Sequence, residues 1–244
     1  MNNGQSEVTP AWYEVLDRSL FHEVAKGRDN QREADFLCQA LDLHPGNTLL
    51  DFPCGEGDVA VELASRGIHV LGVDRDPVSI QIATGKTQTL SNLRFEEGDL
   101  RGFNCELARF DAVLNWYGSF GYLATDAENS AALARLARHL RPSGRLLVDQ
   151  INPFRVVGKD PFEVSVGTQR AHIEWLAESR RVRLEFVSHS SPHNQGSQRI
   201  YSLEEAANLF GVSGLKLVGV YGDFTGGAYS ETSPRLIVVG RQLG

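Results

Sequence analysis

Two periods divide the chain. Up to residue 151, short apolar runs alternate with stretches whose apolar residues recur every three or four positions; from 151 to 200, polar and apolar residues mostly take turns. The first pattern belongs to strands interleaved with amphipathic helices, the second to strands with one wet face. Trp12, Val15, Leu16, Leu20 and Val24 predict a helix over 11–25, and Ala34, Leu37, Cys38 and Leu41 a second within QREADFLCQAL. HPGN breaks that helix and TLLDF is the first strand. A helix, DVAVELASRG, follows and stops at Gly67; the strand HVLGVD comes next. Asp76 reads as an N-cap with Pro77 in the first turn of the helix VSIQIATGK. LRFEEGD and FDAVLNW are strands three and four, AENSAALARLARHL is a helix ending at Arg141-Pro142, and GRLLVDQ is strand five. Strands joined this way through helices form a parallel sheet covered on both faces.

The segment EVSVGTQRAHIEWLAESRRVRLEFVSHS predicts antiparallel strands, inserted as a layer over the sheet's edge. Ser202 and Glu205 then make a capping box opening the helix EEAANLFG. Two strands close the chain, LKLVGVYGDF and PRLIVVGRQ, with a loop between them too short for a parallel crossover. The expected fold is therefore α/β: a doubly wound, seven-stranded, mostly parallel sheet with a C-terminal antiparallel hairpin and an inserted antiparallel β layer. Residues 1–30 are expected as an N-terminal helical cap, 31–150 with 201–244 as the core, and 151–200 as a lid.

Composition narrows the function without choosing it. The 244 residues carry a net charge of −7, so no global field draws the protein to nucleic acid or anionic lipid. Arg180, Arg181 and Arg183 form a local exception that reads as a solvated face. Cys38, Cys54 and Cys105 are too few and too widely spaced for a disulfide framework or a zinc site. With neither a signal pattern nor a membrane-length apolar run, the chain is expected in the cytoplasm, as a monomer or homodimer.

The chemistry concentrates in LLDFPCGEGDV, residues 49–59. GEGDVA satisfies the dinucleotide fingerprint, and Asp74 lies about where a ribose-binding acid belongs. Asp51 stands four residues before Gly55, however, where its charge repels a pyrophosphate and suits a cation. The polar and aromatic stretch NWYGSFGYL after strand four and the closing hairpin also depart from the nicotinamide pattern.

D-F-P-C-G-E-G, G-V-D closing strand two, G-D after strand three, F-D-A-V-L-N at strand four and R-P-S-G-R-L-L-V-D at strand five resemble, in order and spacing, the motifs of class I S-adenosylmethionine-dependent methyltransferases. The D-x-P-C-G-x-G form, with S-F-G-Y and the ending Y-G-D-F…S-P-R-L-I-V-V, resembles a bacterial branch acting on small molecules. That resemblance implies S-adenosylmethionine as cofactor and S-adenosylhomocysteine as product. It implies that Asp51 meets the ammonium; Pro53, Cys54, Gly55 and Gly57 shape the turn around the methionine part; Asp74, with Arg75 beside it, takes the ribose; Asp99 and Leu100 face the adenine; and Asn115 and Trp116 sit near the sulfonium. Cys54 reads as a small filler rather than a nucleophile, and Asp58 departs from the branch's usual basic or hydroxylated residue.

The methyl acceptor is expected at the carboxyl ends of the strands. Tyr122, Tyr221, Tyr229 and Arg235 are candidate wall residues, and Tyr117, Asp223 and His189 candidate catalytic groups. His189 and His193 are four apart, but Pro192 between them argues against a helical metal pair, so no metal is expected. Oxygen and nitrogen acceptors both remain open, as does a protein that binds the cofactor without methylating. A nucleic-acid acceptor is disfavoured by the charge and by N-W-Y-G after strand four.

Overall fold

The computed structural model describes residues 27–87, 90–105, 109–166, 169–187 and 195–243. The helix expected over 11–25, with Trp12 and Tyr13, and the histidines His189 and His193 lie outside these residues.

The described chain runs α1 (Asn30–Leu41), β1 (Thr48–Asp51), α2 (Asp58–Ser65), β2 (His69–Asp74), α3 (Pro77–Gly85), β3 (Leu93–Glu97), β4 (Phe110–Asn115), α4 (Asp126–Arg138) and β5 (Leu140–Ile151). After a short 3₁₀ turn come β6 (Phe162–Val166), β7 (Gln169–Leu176), β8 (Arg181–Val187), β9 (Gln195–Arg199), α5 (Leu203–Val212), β10 (Leu215–Tyr221) and β11 (Arg235–Gln242). Seven strands form one sheet in the order β10-β11-β5-β4-β1-β2-β3. Only β11 runs against its neighbours, pairing antiparallel with both β5 and β10. The α/β architecture, the terminal hairpin and a separate antiparallel sheet, β6-β7-β8-β9, are those expected.

The strands form where consecutive apolar residues leave on opposite faces. Leu49, Val70, Ala112, Leu114 and Leu147 pack under α1 and α2, through Leu37, Leu41, Ala60 and Leu63. Their neighbours Leu50, Leu71, Val113, Leu146 and Val148 pack on the other face under α4 and α5, through Leu133, Leu136 and Phe210. Each such leucine contributes about 1.5–3 kcal/mol by leaving water. The capping signals behave as written: Asp76 caps α3 with Pro77 at its start, and Ser202 and Glu205 bond reciprocally at α5.

Two expectations need correction. Helix α4 ends at Arg138, not at Arg141-Pro142, because β5 begins at Leu140 and residues 141–144 form an irregularity in its pairing with β4. The inserted sheet does not cover the main sheet's edge; its inner strand β9 sits on the segment that follows β4. Polar contacts decide this, since Gln198 and the backbone of Arg199 bond to residues 118–121.

Among the described residues no helix is long and apolar enough to cross a membrane, and no group of three or more His, Cys, Asp or Glu side chains is placed to hold a metal ion.

Candidate cofactor and acceptor site

The glycine turn is built from both neighbouring strands. Phe52 N–H donates to Leu114 O on β4 at 2.9 Å, and Cys54 N–H to Val73 O on β2 at 2.9 Å, so the chain leaves β1 pinned between them. The Phe52–Pro53 peptide is cis. Gly55 and Gly57 both have left-handed backbone, with φ of 54° and 78°. They differ in why. A Cβ on Gly57 would collide with the ring of Phe95, so packing under α2 excludes a side chain there. A Cβ on Gly55 would meet nothing within 4 Å, so that backbone faces open space.

Three acids are the candidates for polar contacts to a ligand of this turn. Asp51, only 3% exposed, has no hydrogen-bond donor to its carboxylate among the described residues. Burial, aided by the charge of Asp74 and opposed by that of Arg28, pushes its pKa up to about 8. Asp74 accepts from Gly55 N–H at 2.8 Å and from Asp76 N–H at 2.9 Å. Burial outweighs these donors and holds its carboxyl above the usual range. Asp99, expected to face an adenine, accepts from Arg101, whose Nε and Nη2 lie 3.0 and 2.6 Å from its two oxygens. That contact holds the Asp99 carboxyl below its ordinary value. Leu100 O accepts from Arg135, and Arg75 is exposed.

Asn115 joins β4 to the turn through Nδ2, which donates to Phe52 O at 2.8 Å; its buried Oδ1 has no partner among the described residues. Burial and the two nearby carboxylates push the Cys54 thiol far up, so it stays protonated. Asp58, at the start of α2, is paired with Lys86 at 2.5 Å, and the same ammonium donates to Glu56 O at 2.9 Å. A lysine one helix away thus supplies the positive charge that Asp58 lacks.

On the acceptor side, the sequence left one carboxylate unnoticed. Glu33, buried in α1, accepts from Tyr117 Oη, from Trp116 Nε1 at 3.4 Å and from Arg28 Nη2 at 3.1 Å. The Arg28 guanidinium lies 3.3 Å from the centre of the Tyr117 ring. Glu33 shares a helix face with Leu37 and Ala40, and an acid in that row was the legible sign of a buried carboxylate. Arg28 precedes the helix and carried no such sign. Trp116, Tyr117 and Phe224 pack ring against ring at 4.8–5.6 Å, and Phe36 meets Tyr221 at 5.1 Å.

The remaining candidates are already engaged. Arg235 is a two-pronged partner of fully buried Asp149, at 2.8 and 2.6 Å, with Tyr117 and Tyr122 close enough to feel its charge. Tyr229 Oη donates to Asn152 Oδ1 at 3.0 Å. Asp223 Oδ1 accepts from Gly227 N–H, Thr225 N–H and the Thr225 hydroxyl. These donors depress its pKa, making it a turn former and a weak base. Among the described candidates, Asp51 and Asp74 stand close enough to feel each other's charge, Gly55 bonds to Asp74 and Asn115 to Phe52 of the same turn, and Tyr117 and Tyr122 lie near Arg235.

Residues 49–144 match the model of a family described as a methyltransferase domain. A dTDP-3-amino-3,6-dideoxy-alpha-D-glucopyranose N,N-dimethyltransferase from Streptomyces fradiae is 28% identical over 236 residues, which cover 87% of this chain and 91% of that protein. The cypemycin N-terminal methyltransferase of a Streptomyces species is 28% identical over 207 residues, covering 80% and 82%. The CcbJ methyltransferase from Streptomyces caelestis shares the fold, with a TM-score of 0.75, 19% identity and coverage of 88% and 95%. Over residues 49–144 the chain thus carries a methyltransferase domain, set in a seven-stranded fold that it shares with that solved methyltransferase.

Proposed function

We propose that the protein methylates an amine nitrogen of a small molecule, an amino sugar or a compound of similar size and polarity. The bound cofactor supplies an electrophilic methyl group on a sulfonium. The residues present suit it: Asp51 is a buried carboxylate with no donor among the described residues, as an ammonium ligand requires, and Gly55 opens a cradle that any Cβ would fill. Asp74 retains a lone pair on each oxygen for the two ribose hydroxyls, while its backbone donors fix its orientation. The partnerless Oδ1 of Asn115 adds an acceptor at the end of β4. Asp99 Oδ1 is taken up by the N–H and Nε of Arg101, while Oδ2, with Nη2 as its donor, retains a lone pair for the adenine amino group.

One observation carries the choice of nitrogen over oxygen. Tyr117 and Tyr229 have already donated their protons, to Glu33 and Asn152, so toward a ligand their oxygens can only accept. Of the carboxylates around them, Asp149 is bound to Arg235 and Asp223 holds its own turn. Such a wall receives N–H groups and orients a neutral amine, and among the described residues it holds no base poised to deprotonate a hydroxyl. The amino-sugar dimethyltransferase among the relatives supports the same reading. The inserted sheet we infer to be the acceptor's lid, and a protein of charge −7 acting on a small molecule needs no nucleic acid or membrane partner.

The test is incubation with S-adenosylmethionine and a matched pair of nucleotide-linked sugars, one bearing an amine and the other a hydroxyl at the same carbon. Release of S-adenosylhomocysteine with methylation of the amine alone supports the proposal. Methylation of the hydroxyl compound in preference would overturn it.

A further inference from the structure

The segment after β4 turns its carbonyls toward the inserted sheet, and three residues of that sheet meet them. Gln198, 6% exposed, donates from Nε2 to Gly118 O and to Phe120 O, both at 2.6 Å. Arg199 N–H donates to Gly121 O at 2.8 Å. The Arg181 guanidinium donates to Leu123 O at 3.1 Å, Ala124 O at 3.3 Å and Gly121 O at 3.4 Å. It is itself fixed by Ser197 Oγ at 2.9 Å and Ser197 O at 3.0 Å. Arg181, expected to face solvent in an arginine patch, is thus half-buried and spent on main chain.

The path of this segment is costly without those donors. Tyr117, Gly118 and Gly121 all adopt left-handed backbone, with φ of 60°, 73° and 89°. That conformation is strained for a tyrosine, and the buried carbonyls of Gly118 and Phe120 would be left without partners. A further anchor holds the base of β9, where Arg199 joins Asp126 of α4 at 3.1 Å and Glu205 of α5 at 2.6 Å. The inner edge of the sheet is therefore a fixed fixture of the core rather than a free flap.

From this geometry we propose that Gln198 and Arg181 are positioning residues: the inserted sheet sets the shape of the acceptor wall by holding the carbonyls of residues 118–124, and through them Tyr117 and Tyr122. The inference rests on the acceptor lying against those tyrosines. It assigns the specificity of the site in part to residues that the acceptor never touches.

Gln198→Met and Gln198→Glu keep the volume but lose both donors; Arg181→Lys is the milder change if either fails to fold. In the full chain, three quantities are compared with the wild type: S-adenosylhomocysteine affinity by calorimetry, amide exchange over 117–124 with that ligand bound, and KM and kcat for the amine acceptor. Exchange at 117–124 should rise about tenfold or more while the strands of the main sheet keep their protection. Affinity for S-adenosylhomocysteine should stay within about twofold. KM for the acceptor should rise about tenfold, with kcat changing much less. Unchanged exchange at 117–124 would overturn the proposal, as would a loss of S-adenosylhomocysteine affinity parallel to the rise in KM. If no amine is methylated, the reading of the acceptor fails, yet exchange and cofactor affinity still decide whether these residues hold the wall.

Discussion

Tyr117 donates its phenolic proton to Glu33, eighty-four positions earlier in the chain and on a different element. The bond joins the segment after β4 to α1, and Trp116 Nε1 and Arg28 complete the carboxylate's shell. Burial, reinforced by Glu33, raises the phenol's pKa, so Tyr117 stays a phenol and its donor stays pointed at α1. Glu33→Ala takes the acceptor from one buried and two part-buried donors, and a buried network broken on one side costs about 3–5 kcal/mol. The expected result is a large drop in the urea midpoint at neutral pH, with Glu33→Gln falling between that variant and the wild type. A change of a few tenths of a kcal/mol in Glu33→Ala would show that the network carries little.

Asp51 sets a second prediction, with an uncommon sign. Its folded pKa of about 8 lies above the roughly 3.9 of an unfolded aspartate, so the folded state binds this proton more tightly. Its contribution to stability is complete below pH ~4 and is lost as pH rises toward ~8, by at most about 1.4 kcal/mol per pH unit. Asp51→Asn should therefore gain stability relative to wild type between pH 5 and pH 8.5 in paired urea titrations, while losing cofactor binding. Equal pH dependence in the two proteins would refute the assignment.

The same carboxyl links cofactor binding to pH. An ammonium ligand favours the ionised form, so binding near pH 7 should expel about one proton from Asp51. Calorimetry of S-adenosylmethionine in two buffers of different ionisation enthalpy reads this directly. No buffer dependence in the wild type would sink the prediction.

Gly55 and Gly57 separate ligand approach from folding. Gly57→Ala drives a methyl into Phe95 at positive φ, and the expected cost is about 2 kcal/mol or more of stability. Gly55→Ala pays about 1 kcal/mol for its left-handed backbone, but points its methyl into open space. It should fold and bind S-adenosylhomocysteine at least about tenfold more weakly, a loss of about 1.4 kcal/mol. Thermal unfolding and calorimetry on the two variants should thus give opposite orders of severity.

Lys86 and Asp58 form a testable pair at the head of α2. Both are partly exposed, so solvent screens their attraction and the effects will be small. Lys86→Met leaves an unbalanced acid at the helix end where an anionic ligand group would sit, and should weaken S-adenosylhomocysteine binding by about twofold to fivefold. Adding Asp58→Asn should restore it. Simple additivity of the two changes would argue that Lys86 acts only by bracing Glu56 O.

Local pattern was enough for the main sheet. Strands such as TLLDF and FDAVLNW are apolar on both faces, and that property has one outcome, a central parallel strand between helix layers. Asp76-Pro77 and the Ser202–Glu205 box could be read directly because caps act over three or four residues. The order of the acids and glycines from Asp51 to Asp74 was equally legible, since a strand end and the next helix start lie close in the chain as well as in space. Tertiary structure decided everything that depends on distant partners. Glu33 became a shared acceptor only when α1 met the end of β4. Arg181 and Gln198 turned from surface and strand residues into a brace for residues 118–124 because β9 came to rest there. A hydrogen bond needs angstrom placement of two groups, and periodicity carries no information about which distant group will arrive. The face a residue occupies is written locally; its partner is chosen by the fold.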